Sequence, residues 1–151
     1  PEKSDACRRN TNLFSGVLRV RSGEPPHAEH LIHRTEAGHM VRSKSELVIA
    51  NLLHREGIAY EYERLLEGGI AGGRVYPDFT FTDAAGDQVI WEHLGMMDNP
   101  DYVRGWGWKQ GWYAQNGFVL GKTLFTTEER SGQGLDMENL KAVAAKIKNV
   151  V

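Results

Sequence analysis

The stretch from Arg74 to Gly95, RVYPDFTFTDAAGDQVIWEHLG, constrains the fold more than any other part of the chain. Two alternating runs, Val75–Thr82 and Gln88–Leu94, flank the turn-forming segment Asp83-Ala84-Ala85-Gly86-Asp87 and read as a β-hairpin. Pairing Thr82 with Gln88 places Phe79 opposite Trp91 and Phe81 opposite Val89, which makes one face apolar. A slip of one residue would mix the faces, so the register is fixed by burial. That register also sets Asp78 directly opposite Glu92.

Cross-strand partners have Cβ atoms about 5 Å apart, and like charges at that spacing repel. The pair therefore needs a proton, a basic side chain or a divalent cation. Oxygen donors of this kind suit Mg²⁺, which takes one or two carboxylates and keeps waters for substrate phosphates. A solvated hairpin face is the plainer reading of the same two residues.

A chain of 151 residues, 40% hydrophobic and 25% charged, has the composition of one ordinary globular domain. No apolar run reaches membrane-spanning length, and no signal peptide is visible. The single cysteine, Cys7, excludes an internal disulfide and a multi-cysteine zinc site, which points to a cytoplasmic setting. The chain starts at Pro1 rather than Met, as a segment of a longer protein would. The net charge of −2 argues against a strongly basic protein that coats nucleic acid.

Residues 1–42 show little periodicity and contain the breaker cluster Gly23-Glu24-Pro25-Pro26, so they read as an N-terminal extension or linker. A strand is expected over Leu13–Val20, and a hairpin over Leu31–Thr35 and His39–Arg42. His27, His30, His33 and His39 match no zinc spacing and read as a solvated loop. Ser43 to Glu56 has the marks of a helix, with Ser43-Lys44-Ser45-Glu46 as a capping box and Gly57 as the stop. Glu46 shares a face with Ile49, Ala50 and Leu53, where an acid needs a partner.

Ala59–Leu66 reads as a strand, followed by the loop Gly68-Gly69-Ile70-Ala71-Gly72-Gly73. Asn99 and Pro100 open a helix that Asn116-Gly117 ends, with Tyr102, Trp106, Lys109 and Tyr113 on one face. Phe118–Phe125 reads as a strand, Ser131–Gly134 as a turn and Asp136–Val150 as a helix with Leu140, Val143, Ala144 and Ile147 inward.

The resulting order over residues 43–151, α-β-β-β-α-β-α, carries Glu46 on the first helix, Pro77-Asp78 on the second strand and Glu92 on the third. It resembles the PD-(D/E)xK nuclease superfamily, and Lys109-x-x-x-Tyr113 resembles an element of its RecB-like branch. The fuller pattern, YPDF…WEHLGM…Y…W…K…WY…NG, is similar to nuclease modules attached to DNA helicases. The resemblance implies an α/β, restriction-endonuclease-like core: a mixed central sheet flanked by helices.

It also implies a Mg²⁺- or Mn²⁺-dependent deoxyribonuclease. Asp78, Glu92 and the His93 backbone carbonyl would hold the metal, and Glu46 would join them directly or through water. Where the family has lysine two residues after the last acid, this chain has Leu94, so the resemblance assigns the catalytic lysine to Lys109. Arg104 is the candidate for phosphate contacts, and Trp112 and Tyr113 for stacking on DNA bases, single-stranded or branched; core packing is the plainer reading of these aromatics and the preferred one for Trp106. A helicase-like region of a longer parent chain is the implied partner. The rival readings are a catalytically degenerate nucleic-acid-binding module of the same fold, and an unrelated structural or protein-interaction domain.

Overall fold

The computed structural model describes residues 19–21, 27–69 and 72–151. Cys7, the Gly23–Pro26 cluster and most of the strand expected over residues 13–20 lie outside them. Among the described residues the chain is mixed α/β, with three α-helices and both antiparallel and parallel strand pairs. No helix among them is long and apolar enough to cross a membrane.

The central hairpin adopts the register that its alternation dictates. Strands β7 (Phe79–Thr82) and β8 (Gln88–Leu94) pair antiparallel with Phe79 opposite Trp91, Phe81 opposite Val89 and Thr82 opposite Gln88. β4 (Glu61–Tyr62) joins the free side of β7, and β9 (Leu124–Glu128) runs parallel to β8, giving a four-stranded sheet ordered β4-β7-β8-β9. A parallel partner requires a crossover, supplied here by helix α2 (Pro100–Gln115).

Helices α1 (Lys44–Arg55) and α3 (Met137–Val150) cover one face of that sheet. Ile49, Ala50, Leu53, Leu140, Val143, Ala144 and Ile147 pack there on Phe79, Phe81, Val89, Trp91 and Phe125. Fully burying one such aliphatic or Phe side chain contributes roughly 1.5–3 kcal/mol. Trp112 and Tyr113 of α2 close the other face over Leu66, Val75, Ile90 and Leu124. With both faces covered, β8 is buried from Val89 to Leu94, acid included.

Two expected strands are each broken in two. The run over 59–66 forms β4 and then β5 (Leu65–Glu67), with Glu63 between them at φ 46. The run over 75–82 forms β6 (Arg74–Val75) and β7, separated by Tyr76-Pro77-Asp78. The breaks face each other, since the Glu63 N–H donates to the Asp78 carbonyl at 3.1 Å. Pro77 has no N–H to extend the ladder. Glu63 is held in its left-handed conformation by Arg42, whose guanidinium meets both carboxylate oxygens at 2.5 and 2.9 Å. Beyond the bend, β5 and β6 belong to a separate antiparallel sheet ordered β1-β5-β6, with β1 at Arg19–Arg21.

The strand expected over 118–125 is displaced to Leu124–Glu128. A turn precedes it, with Thr123 and Leu124 N–H groups on the Val119 carbonyl and Gly121 at φ 80. Hairpin β2 (His33–Arg34) and β3 (Met40–Val41) forms as expected, and Val41 is fully buried. Residues of the N-terminal region thus take part in packing and in sheet pairing. His27 and His30 are exposed, whereas His39 is half-buried with Nε2 2.7 Å from the Tyr60 hydroxyl.

Candidate functional site

Pro77 ends the β6 segment and delivers Asp78 to the rim of the four-stranded sheet, one step beyond the Phe79–Trp91 pair. The Asp78 carboxylate accepts the His93 N–H at Oδ2, 2.7 Å, and its own N–H reaches Glu92 Oε2 at 3.4 Å. The two acids are therefore neighbours, as the alternation requires. Burial, followed by the charge of Glu92, pushes the Asp78 carboxyl well above its usual range; Lys109 and the His93 N–H pull it down.

Glu92 is 3% exposed, and α2 provides its partners. The Tyr113 hydroxyl donates to Oε1 at 2.5 Å, and Lys109 Nζ lies 2.5 Å from the same oxygen. Lys109 also donates to the Tyr76 carbonyl at 3.1 Å. Its stem lies along the half-buried face of α2 while the ammonium emerges among the acids. Burial alone would depress this ammonium, but the charges of Glu92 and Asp78 outweigh it and its pKa is raised. Burial and Glu92 likewise push the Tyr113 phenol up, so it remains a donor.

Glu46 forms the capping box and does not gather with Asp78 and Glu92 into a three-acid group. Its Oε2 accepts the Ser43 N–H at 2.9 Å and the Tyr62 hydroxyl at 3.1 Å, and its charge contributes to the rise at Asp78. The His93 carbonyl takes the Tyr102 hydroxyl at 3.4 Å.

Two of the DNA-contact candidates, Trp112 and Tyr113, are placed otherwise than expected. Trp112 is 3% exposed and donates its indole N–H to the Gly72 carbonyl at 2.8 Å, and Tyr113 is fully buried. Neither offers a face for stacking, because α2 must close the second core and these are its largest inward side chains. Trp106 also packs on that core. Arg104 is exposed, but pairs with Asp101 one turn back on its own helix. The exposed indole of α2 belongs instead to Trp108.

Sequence reasoning missed several side chains. Tyr62 on Glu46 is one, and the cluster of His93, Thr127, Glu129 and Ser45 is another. Ser45 and His93 hold the Glu129 carboxyl below its usual range, so it is ionised at neutral pH. The available signal was the parallel pairing that sets His93 beside Thr127, which becomes visible only when β9 is correctly placed.

Among the described residues no three His, Cys, Asp or Glu side chains gather into a metal-holding group. What converges is a pair of carboxylates with one ammonium to offset them. That all-oxygen donor set, buried at Glu92, half-buried at Asp78 and under-neutralised, suits a hard divalent cation that retains waters. The identity of the side chains fits the ion; Asp78 and Glu92 are the residues that would hold it.

No known family description matches the chain, and no solved structure matches it. It is similar to the uncharacterized protein MJ1519 of Methanocaldococcus jannaschii, 40% identical over 118 residues. The match covers 78% of this chain and 10% of that protein, so the chain spans about a tenth of its relative's length.

Proposed function

We propose that the chain is a divalent-metal-dependent deoxyribonuclease module with a restriction-endonuclease-like core. The observation that carries this reading is the meeting of Asp78, Glu92 and Lys109, with Lys109 Nζ 2.5 Å from Glu92 Oε1 and Asp78 Oδ2 fixed by the His93 N–H. Hydrolysis of a phosphodiester needs an activated water, relief of charge on the phosphate and help for the leaving oxygen. A Mg²⁺ or Mn²⁺ ion, when bound, would supply acidity to water and neutralise phosphate charge.

The chain's own groups would do the rest. Asp78 and Glu92 would hold the ion, with the His93 carbonyl and Glu46 as further oxygens at the rim. Tyr113 fixes the Glu92 carboxylate through Oε1, which leaves Oε2 turned toward Asp78. Lys109 would stabilise negative charge developing on the phosphate, a role suited to a fixed ammonium in a water-poor site. The motif resemblance, and not the uncharacterized relative, supports placing the module in a larger DNA-processing protein with a helicase-like region, and the single cysteine supports a cytoplasmic setting.

The test is incubation with single-stranded and duplex DNA in Mg²⁺, Mn²⁺ or EDTA, with Asp78→Ala and Glu92→Ala alongside. Metal-dependent cleavage lost in both variants supports the reading, and parental cleavage by either variant overturns it. One observation favours the rival binding module: Lys109 and Tyr113 already occupy Glu92 Oε1. Such a module would bind DNA equally well in EDTA and cut nothing.

A further inference from the structure

The face of β8 opposite Glu92 carries a second polar chain. Trp91 Nε1 donates to Thr127 Oγ1 at 3.0 Å, and His93 Nδ1 lies 2.8 Å from the same hydroxyl. An indole N–H only donates, and a hydroxyl has one hydrogen to give. Thr127 therefore accepts from Trp91 and holds Nδ1 of His93 as well, which turns Nε2 the other way. That nitrogen is 3.3 Å from Glu129 Oε2, an acceptor. The same Oε2 accepts the Ser45 hydroxyl at 2.5 Å. Thr127 and His93 are 2% and 6% exposed, and the Glu129 carboxylate at the end of the chain is 29% exposed. Hydrogen-bonded side-chain networks that reach into the interior in this way make a structure rigid.

The ends of the chain are what matter. Ser45 stands in the first turn of α1, immediately before Glu46. His93 follows Glu92, and its backbone N–H fixes Asp78. Glu129 follows β9, and its own N–H donates to the Leu94 carbonyl at 3.0 Å, which locks it to the end of β8. One carboxylate thus ties the helix that carries Glu46 to the strand that carries Glu92. We propose that Glu129 is a positioning residue for the acid site, fixing through Ser45 and His93 the distance between Glu46 and the Asp78–Glu92 pair. This rests on the nuclease reading above, and it assigns Glu129 no contact with metal or DNA.

The experiment compares parental protein, Glu129→Ala, Glu129→Gln and Ser45→Ala. Mn²⁺ affinity is measured by titration, cleavage is resolved into kcat and the KM for DNA, and folding is checked by melting. Glu129→Ala and Ser45→Ala should each weaken Mn²⁺ binding and lower kcat by about 10-fold or more, the usual effect of losing a group that orients metal-binding residues. The KM for DNA should stay put. Glu129→Gln should recover most of both quantities, since its carbonyl oxygen still accepts from Ser45 and His93. Ser45→Ala removes only a hydroxyl and leaves the Ser43 cap intact, so it reports even if Glu129→Ala folds poorly. Parental Mn²⁺ affinity and kcat in folded Ser45→Ala or Glu129→Ala overturn the proposal alone. A parental protein that neither binds Mn²⁺ nor cuts DNA overturns the nuclease reading and this proposal with it.

Discussion

Lys109 Nζ stands 2.5 Å from Oε1 of Glu92, an ion pair between the inner face of α2 and the middle of the sheet. A 3% exposed carboxylate beside a second acid is costly in a low-dielectric interior unless a cation faces it. The ammonium offsets one of the two charges and leaves the other to be met by a proton or an ion. Local stability and the proposed chemistry therefore depend on the same contact.

Lys109→Ala should reduce cleavage by about 10²-fold or more, as loss of one transition-state electrostatic contact does. It should also destabilise the protein, since stripping one partner from a buried ion pair typically costs ~3–5 kcal/mol. Lys109→Arg should restore the rate only partly, because a planar fork does not occupy the position of a compact ammonium. Single-turnover cleavage and a denaturant melt check both; a parental rate in Lys109→Ala sinks the assignment.

Glu46→Gln separates a helix cap from a functional acid. Both bonds at Glu46 use one oxygen, Oε2, which a glutamine carbonyl can replace. The melting temperature should hold while cleavage falls severely. Unchanged turnover would return Glu46 to the role of a cap alone.

Tyr113→Phe keeps the ring in the second core and deletes only the hydroxyl on Glu92 Oε1. A hydrogen bond to a charged group is worth about 1.5–3 kcal/mol, so the variant should fold with a measurable loss. Its cleavage should drop through a loosened Glu92, with more metal required for half-maximal rate. A variant whose stability falls while its metal requirement stays unchanged would show that the hydroxyl serves packing only.

The pH dependence has a definite sign. Asp78's carboxyl is raised in the folded state, above its ordinary 3.8. The folded protein therefore holds a proton that the unfolded chain releases. The stability that proton confers is complete below the unfolded value and disappears as pH climbs through the folded one. Metal-free protein should melt at a lower temperature at about pH 8 than at about pH 5, and Asp78→Asn should reduce that difference. Equal slopes in the two proteins would contradict the shift.

Glycine substitutions should diverge in sign. Gly69 is buried at φ 83, and a Cβ there would fall 1.5 Å from Asn116 Oδ1, so Gly69→Ala should destabilise. Gly107 lies inside α2 with nothing within 4 Å of its Cβ position, so Gly107→Ala should stabilise by about 1 kcal/mol. Thermal melts of the two variants settle both signs.

Local features were legible in the sequence. The hairpin register, the Ser43–Glu46 capping box, the Asn99-Pro100 helix start and the inward face of α3 all follow from periodicity and capping, which act over a few residues. The breaks at Glu63 and Pro77 were not legible, because they depend on Arg42 reaching across 21 residues and on one bend answering another. Trp112 and Trp108 look alike in a sequence, and only the placement of α2 buries the first and exposes the second. Beside the acids, Lys109 could be anticipated because a charge on an aromatic face calls for a partner. Glu129 could not, since β9 begins later than its residues suggest.

The Asp78–Glu92 pair also bears on the order in which the molecule assembles. These residues are 14 apart and meet as soon as one hairpin closes, an event of about 1–10 μs. The Tyr113 contact spans 21 residues and needs α2 to swing over the sheet, and Ser45 meets Glu129 only across 84. Contacts of long span wait on loop closure. For an interval, then, the young hairpin carries two facing carboxylates with no ammonium between them. It gains its neutralising partner only when the crossover helix arrives. Repulsion between the two acids opposes that closure, and a proton or a divalent cation held between them would ease it.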